Sequence, residues 1–194
     1  MSPEISELIE VFAKLPGLGP RSAKRLVIDL LSDHLDLIDI LGLKLSSIKD
    51  KIVQCESCFN IDTFSPCSLC LDTSRNLKQI CIVEKVSDMW AFENTKAYHG
   101  QYHILGGTLS PIDGKGPADI NLPKLLARIQ SQKIEEVILA LNATVESQTT
   151  AHYLMNSLQS YDVRITKISQ GIPLGGELNY LDEGTLITAF QARQ

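Results

Sequence analysis

Four of the five cysteines in this sequence lie close together, between positions 55 and 70. They form two Cys-x-x-Cys pairs, Cys55 with Cys58 and Cys67 with Cys70. Each pair can place two thiolates on one ion, and two pairs complete a tetrahedral four-thiolate site that has no open coordination position. We therefore expect these cysteines to bind a structural Zn²⁺ ion.

Redox chemistry is the alternative for a Cys-x-x-Cys motif. It requires that one motif opens a helix after a strand of a thioredoxin-like fold. Both motifs here precede the first predicted strand of the sheet, which fits that arrangement badly. Cys81 lies inside the apolar run ICIV, and we expect it to be a buried small residue and not a ligand.

A second group of residues suited to chemistry is the basic stretch LPGLGPRSAKRL, residues 15–26. Gly17 and Gly19 lie between two predicted helices, which is the sequence form of a helix-hairpin-helix. Glycine lets a partner approach the backbone closely, and the start of the second helix presents unpaired N–H groups to an anion. Three cations project from neighbouring positions of that helix: Arg21, Lys24 and Arg25.

The charge around this bend differs from that of the whole chain. No acidic residue occurs from Val11 to Ile28, although the formal net charge of the chain is -5. Backbone N–H groups and cations together can contact the phosphate backbone of DNA without reading bases. We therefore predict a DNA-binding bend. The alternative is an interhelical turn in which the glycines serve packing and the arginines are solvated.

A third group of residues is acidic. Glu84 ends the apolar run ICIVE, Asp88 follows it, and Glu146 lies in the segment LALNATVESQTTA. A carboxylate at the C-terminal edge of a parallel sheet occupies the place where sites form in α/β folds. A Mg²⁺ enzyme needs several carboxylates there, so this is a poor Mg²⁺ site. Local capping or pairing of Glu84 is the alternative.

Two further features have structural interpretations. The loop GGTLSPIDGKGP lacks the Gly-Lys-Ser/Thr ending of a phosphate-binding P-loop, and we expect a surface loop. His103, in YHILGG, is expected to be a partly buried residue of the sheet.

The elements that must position these groups are of two kinds. Apolar residues at helical spacing predict helices near residues 4–15, 23–31 and 35–48, with Gly42 a weak point of the third. From residue 79, short apolar strands alternate with helices, which predicts a mostly parallel sheet covered on both faces. The predicted strands are 79–84, 102–107, 135–141 and 163–169; the helices are 87–94, 122–132 and 149–159, with a C-terminal helix or arm at 181–193.

Composition bounds the class of protein. Hydrophobic residues at 44% and charged residues at 21% are typical of a globular protein with enough apolar material for a core. No apolar run approaches the roughly 20 residues of a membrane span, and the start MSPEISELIE lacks the basic segment of a secretory signal. We expect a cytoplasmic protein that has no membrane partner.

The acidic segments resemble those of the Toprim domain, which topoisomerases, primases and nucleases share. In catalytic Toprim domains the second segment runs Asp-x-Asp-x-x-Gly-Glu. Uncharged residues occupy the defining positions here: Asn142, Thr144, Ser147 and Gln148.

The whole chain resembles the RecR family of bacterial recombination mediators. The segments that carry the resemblance are LPGLGPRSAKRL, the paired Cys-x-x-Cys, YHILGGTLSPIDGKGP and GIPLGGELNYLDEGTL. The resemblance implies an α/β protein in four parts. These are a helix-hairpin-helix DNA-binding domain (1–53), a four-cysteine zinc finger (54–77), a Toprim domain (78–170) and a C-terminal arm for oligomerisation (171–194).

The resemblance also implies a function. Members of the family are non-enzymatic DNA-binding proteins of DNA repair. They act with RecO, and in many bacteria RecF, to load RecA onto single-stranded DNA covered by single-strand-binding protein. Self-association as a ring-like dimer or tetramer and association with the nucleoid are implied as well.

The acidic Toprim face is the surface that contacts RecO in the family. The residues that correspond here are Glu84, Asp88 and Glu146. The chain departs from the family at Lys85, where a second acid is usual, and at Ser147 and Gln148, where Gly-Glu is usual. A Mg²⁺-dependent Toprim nuclease or other nucleic-acid enzyme is the alternative function, and a zinc-ribbon adaptor that binds only proteins is a third.

Overall fold

The computed structural model describes residues 1–169, 171–172 and 175–191. The chain divides into two compact units, Met1–Ile52 and Val53–Gln194. The first unit is helical, and both sheets belong to the second. Within the described residues, no helix combines the length and the hydropathy that crossing a membrane requires.

The helical unit contains three helices that agree with the three predicted segments. Ser2 caps the first by accepting a hydrogen bond from the backbone N–H of Ile5 (3.4 Å), and Pro20 occupies the first turn of the second, where its missing N–H costs nothing. The third continues through Gly42 without a break. The helices are α1 (Pro3–Ala13), α2 (Pro20–Asp33) and α3 (Leu35–Lys49).

Burial in the helical unit is confined to one helix. Ala23, Val27 and Leu30, spaced along one face of α2, are buried, whereas α1 and α3 contain no buried residue. Helix α3 instead exposes a row of large apolar side chains: Leu35, Leu37, Ile40, Leu41, Leu43, Leu45 and Ile48.

The second unit begins with the cysteine segment, which the sequence predicts to be an irregular loop. It contains a short antiparallel hairpin, β1 (Val53–Gln54) with β2 (Ile61–Asp62). A single helical turn, α4 (Ser68–Leu71), follows. These pieces are too short to show apolar periodicity, which is why the sequence did not reveal them.

A four-stranded sheet in the order β4-β3-β5-β6 forms the centre of this unit, and all three strand pairings are parallel. The predicted fold class, a mostly parallel sheet flanked by helices, is therefore confirmed. The elements are β3 (Asn76–Val83), α5 (Val86–Thr95), β4 (Gly100–Ile104), α6 (Leu122–Gln132), β5 (Glu136–Leu139), α7 (Val145–Leu158), β6 (Arg164–Lys167) and α8 (Glu183–Gln191).

The sheet buries apolar side chains on both faces. Because successive residues of a strand point to opposite faces, Ile80 and Ile82 of β3 pack in one core while Cys81 and Val83 pack in the other. The first core is closed by residues of α6 and α7. The second includes Met89 of α5 and also receives side chains from the cysteine segment.

Several boundaries differ from the sequence prediction; β3 begins at Asn76 and not at 79, and β4 is Gly100–Ile104 and not 102–107. Helix α7 begins at Val145, earlier than predicted, because the Thr144 hydroxyl caps it by accepting a hydrogen bond from the backbone N–H of Ser147 (3.2 Å). The predicted C-terminal helix is present as α8, preceded by a short 3-10 turn at Leu178–Tyr180. The end of that prediction, residues 192–193, lies outside the described residues.

Candidate metal centre and nucleic-acid interface

The four clustered cysteines converge on one point. Their Sγ atoms lie within 4.8 Å of one another, with 3.9 Å between Cys55 and Cys70 and 3.5 Å between Cys58 and Cys67. A disulfide needs about 2.05 Å, whereas metal–sulfur bonds of about 2.3 Å in a tetrahedron imply sulfur–sulfur edges of about 3.8 Å. The site fits a divalent metal ion, so the predicted four-cysteine metal-binding group is confirmed.

The first cysteine pair lies in a tight turn anchored to the sheet. The backbone N–H of Cys55 donates to the carbonyl of Asn60 (2.7 Å), and that of Phe59 donates to Cys55 (2.9 Å). Phe59 adopts a left-handed backbone conformation with φ 66 to close the turn. From β4, the N–H of Ile104 donates to the carbonyl of Cys58 (2.9 Å), which ties the metal site to the sheet.

The second pair begins helix α4. The N–H of Cys67 donates to the Sγ of Cys55 (3.3 Å), so one pair supports the other. Asp62 accepts from the backbone N–H of Ser68 (3.0 Å) and of Thr63 (2.7 Å). These backbone donors, Ser68 foremost, hold the pKa of Asp62 below its usual range.

Mutual contact among the thiols changes their ionisation in opposite directions: Cys58 lowers the pKa of Cys67, and Cys67 raises that of Cys58. Contacts with Cys67 and Cys70, and then burial, raise the pKa of the Cys58 thiol far above its usual range. Several thiolates crowded at this spacing repel one another, and a divalent ion is what allows all four to remain ionised.

The bend between α1 and α2 has the conformation that its glycines predict. Gly17 has φ 81, in the left-handed region that favours glycine, while Gly19 caps α2 with ordinary extended angles, φ -80 and ψ 169. No side chain caps this helix. The N–H of Ala23 is the first to find an intrahelical acceptor, the carbonyl of Gly19 (2.9 Å), so earlier amides remain available to an anion.

The predicted cations lie at the start of this helix. Arg21, Lys24 and Arg25 are exposed, and among the described residues none of them forms a salt bridge. Asp29 is the first acid after them along α2, and it contacts His34 (3.4 Å). Three free cations therefore surround the unpaired amides of a helix N-terminus, an arrangement suited to phosphate.

At the carboxyl edge of the sheet, Glu84 is buried and fully bonded. It is 4% exposed. Its two carboxylate oxygens accept from the backbone N–H of Asn142 (2.7 Å) and from the Nδ2 of the same residue (2.8 Å). Asn142 stands where a catalytic Toprim domain has an aspartate, so an amide that donates replaces a carboxylate that would share a metal.

Of the other two predicted acidic residues, one caps a helix and the other is exposed. Asp88 caps α5 by accepting from the backbone N–H of Lys85 (2.9 Å), and Glu146 is exposed in the first turn of α7. In the described part of the chain, the four cysteines form the one group of three or more His, Cys, Asp or Glu side chains that could hold a metal ion. The three predicted acids are not brought together around one ion.

Other residues singled out in the sequence occupy structural positions. His103 is fully buried; its Nε2 lies 3.0 Å from the carbonyl of Asn121, and burial lowers its pKa to about 4. Burial also raises the pKa of the Cys81 thiol to about 12. The loop at 106–117 folds back on itself through a bridge between Ser110 and Lys115; residues 111–115 are exposed, as expected of a surface loop, whereas Leu109 and Ser110 are buried.

Two residues of this region were missed by sequence reasoning. Asn142 was considered only as a missing carboxylate, because its bond to Glu84 spans 58 positions and leaves no local signal. Arg128 of α6 is buried and bonds to the cysteine segment. Its signal was available, since it lies three residues after Leu125 on the apolar face of that helix.

Comparison with known families assigns most of the chain. A Toprim domain model matches residues 78–169. The model described as RecR, helix-hairpin-helix matches residues 5–46, and that described as RecR, C-terminal matches residues 171–194.

Whole-chain relatives agree with these matches. Recombination protein RecR of Rhizobium etli is 50% identical over 191 residues, covering 98% of this chain and 95% of the relative. The protein of the same name from Xanthobacter autotrophicus is 49% identical with the same coverage. That of Erythrobacter litoralis is 47% identical over 193 residues, covering 100% of this chain and 98% of the relative. At this identity over the full length, the chain belongs to the RecR family.

Proposed function

We propose that this protein is a non-enzymatic, DNA-binding mediator of recombinational DNA repair. The observation that carries the proposal is the group of three exposed cations, free of salt bridges, at the uncapped start of α2. Relatives named recombination protein RecR provide the biological context. DNA, single- or double-stranded, is the ligand, and its phosphates contact the bend without base readout.

One bend alone is a weak DNA site. Affinity for a polyanion increases with the number of phosphates neutralised, and Arg21, Lys24 and Arg25 neutralise few. Self-association as a ring-like dimer or tetramer brings several bends to one DNA molecule, and avidity then supplies what one copy lacks. The apolar residues exposed on α3 and α8, among them Leu43 and Ile187, support an assembly of this kind.

The partners are RecO and, where it is present, RecF, and the outcome is loading of RecA onto single-stranded DNA covered by single-strand-binding protein. The proposed contact with RecO is the acidic Toprim edge. Glu146 is its exposed carboxylate, Asp88 is partly buried, and the buried Glu84 supports the edge from beneath through Asn142.

The state of Glu84 supports a function without catalysis. A Mg²⁺-dependent enzyme needs several carboxylates at one ion, and both oxygens of Glu84 already accept hydrogen bonds from Asn142. DNA cleavage or joining that depends on Mg²⁺ and is lost in Glu84→Gln would overturn this part of the proposal.

The ion of the four-cysteine site is proposed to be Zn²⁺, with a structural function. Four thiolates favour Zn²⁺ among common divalent ions, and no coordination position remains for substrate. Around this centre we propose four parts: a helix-hairpin-helix domain (1–53), a zinc finger (54–77), a Toprim domain (78–170) and an oligomerisation arm (171–194). The matched ranges 5–46, 78–169 and 171–194 support this division.

The decisive experiment compares two charge-matched double variants. Arg21→Ala/Arg25→Ala removes two cations from the bend, and Lys44→Ala/Lys49→Ala removes two exposed cations from α3. DNA binding is measured by fluorescence anisotropy across a salt series, with the oligomeric mass fixed by light scattering. The arginine variant should bind at least about ten-fold more weakly with a shallower salt dependence, because each lost phosphate contact reduces the slope by roughly one. Equal effects of both variants would contradict a site at the bend.

A further inference from the structure

Arg128 of α6 is a buried cation that has no anionic partner. It is 8% exposed. Its guanidinium donates to the backbone carbonyls of Tyr102 (2.6 Å) and Ser57 (3.4 Å). Side-chain oxygens of Gln101 and Gln132 accept its remaining hydrogen bonds. All four acceptors are neutral, and among the described residues no ion pair within 4.0 Å includes Arg128.

A buried charge surrounded by neutral groups is costly. Hydrogen bonds satisfy its donors, but removal from water costs several kcal/mol unless an opposite charge is near. The chain follows this rule at its other part-buried arginine: Arg75 forms a bidentate pair with Glu93, at 3.0 and 2.5 Å. Arg128 has no such carboxylate partner among the described residues, so a negative charge other than a carboxylate must offset its charge.

The position of Arg128 identifies that charge. Ser57, whose carbonyl it contacts, lies between Cys55 and Cys58. Four thiolates around a divalent ion carry a net charge of about -2, and this charge is concentrated in a low-dielectric interior where its attraction for a cation is strong. The metal-loaded cysteine cluster is thus the negatively charged group next to the Ser57 carbonyl that Arg128 contacts.

A second cation of α6 reaches the same turn. The Nζ of Lys124 lies 5.0 Å from the ring centroid of Phe59, the residue after Cys58. Lys124 and Arg128 are four residues apart and therefore lie on one face of the helix. Two cations of α6 therefore contact residues of the turn that carries the first cysteine pair.

We propose that Arg128 is the outer-sphere cation of the four-cysteine metal centre, which positions the ligand-bearing turn and offsets the charge of the thiolates. This inference rests on the proposed metal. The guanidinium fixes the Ser57 peptide, and with it the loop that carries Cys55 and Cys58. Its charge stabilises the metal-loaded state more than the metal-free state. Metal affinity is thereby coupled to the packing of α6 on the sheet.

The test measures metal retention in the full chain loaded with Zn²⁺. Arg128→Met removes the charge and keeps the apolar stem, whereas Arg128→Lys keeps a charge and loses the planar fork. Zinc release to a chromophoric chelator, well below the melting temperature, should be at least about ten-fold faster in the methionine variant and intermediate in the lysine variant, since outer-shell partners typically contribute 10–100-fold to metal affinity. In protein loaded with Co²⁺, the thiolate-to-metal absorption bands should shift in Arg128→Met.

Arg164→Met is the control, because it removes an arginine of β6 whose partner is a carboxylate, Glu136 (2.9 Å), and which lies outside the cysteine segment. It should leave zinc release and the cobalt spectrum unchanged. Release at the wild-type rate in Arg128→Met, or equal acceleration in both variants, overturns the inference. If the methionine variant does not fold, wild-type release in Arg128→Lys has the same meaning. A wild-type protein that binds no metal overturns the metal proposal and this inference together.

Discussion

The helical unit and the α/β unit differ in whether their candidate functional residues are exposed or buried. In residues 1–52 the cations and glycines of the bend are exposed, and burial is confined to one face of α2. In the α/β unit the candidate metal ligands and the polar groups of the sheet are buried: three of the four clustered cysteines, Glu84, His103 and Arg128.

Because of this difference, binding and folding stability can be altered by separate substitutions. A side chain that points to solvent can be replaced at little cost in folding energy, so replacing the exposed cations of the bend should alter binding alone. A buried polar group is part of the packing, and its replacement alters stability first. The following predictions test this contrast, beginning with the largest effect.

Removing one metal ligand should have the largest effect on stability. Cys58→Ser leaves three thiolates and a weaker site, and because metal binding contributes directly to folding, we expect a loss on the order of 4 kcal/mol in the free energy of unfolding. Thermal and chemical denaturation, with zinc content measured on the same samples, checks this. A variant that retained full zinc and wild-type stability would show that the cluster does not act as a metal site.

Cys81→Ala is the control for that experiment. Cys81 is buried in β3 but lies outside the cluster. Its loss should cost about 1 kcal/mol from the small cavity alone and leave the zinc content unchanged.

Acidification should weaken the α/β unit through His103. Its pKa is about 4 in the folded protein and about 6.5 in an unfolded chain. Between these values the unfolded state binds more protons, so the free energy of unfolding falls as the pH drops from about 6.5 to about 4. By pH 5 this single group should account for a loss of about 2 kcal/mol relative to pH 8.

His103→Gln isolates this effect, because glutamine keeps an N–H donor for the carbonyl of Asn121 and cannot titrate. Denaturation at pH 8 and pH 5 should show a loss about 2 kcal/mol smaller in the variant than in the wild type. All other titrating groups, the thiols included, are common to both proteins. Equal losses would mean that His103 is protonated in the folded state.

The smallest effects are expected at the two glycines of the bend. Gly17→Ala should cost about 1 kcal/mol, because alanine is strained at φ 81. Gly19→Ala should cost about 0.5 kcal/mol, because alanine is a poorer N-cap than glycine, although Gly19 has φ -80 and an added Cβ meets nothing within 4 Å. If DNA approaches the backbone there, the Gly19 variant binds several-fold more weakly than this small loss of stability explains. Unchanged binding in the anisotropy assay would exclude that approach.

Local patterns allowed much of the α/β unit to be predicted. Helix α6 spans the predicted residues 122–132, because its apolar spacing and Pro123 near its start are local signals. The cysteine pairs were equally readable, since ligand spacing alone defines a site for four thiolates.

Local sequence patterns could not predict contacts between segments that are far apart in the chain. Nothing near Glu84 in the sequence shows that Asn142 donates to it, and nothing near Arg128 shows that its acceptor is Ser57, 71 positions away. Burial of a polar side chain depends on elements that the topology brings together. For that reason the chemical state of a residue was harder to predict than the element that carries it.

If copies of the protein self-associate as proposed, the exposed apolar row of α3 makes the folded state of the helical unit depend on protein concentration. A helix of 15 residues that buries none of its side chains gains little from packing within its own chain. In the proposed self-association a second copy covers this row, and the stability of the unit then increases with the logarithm of the protein concentration. The helical unit would therefore be less stable in a sample at nanomolar concentration than in one at millimolar concentration.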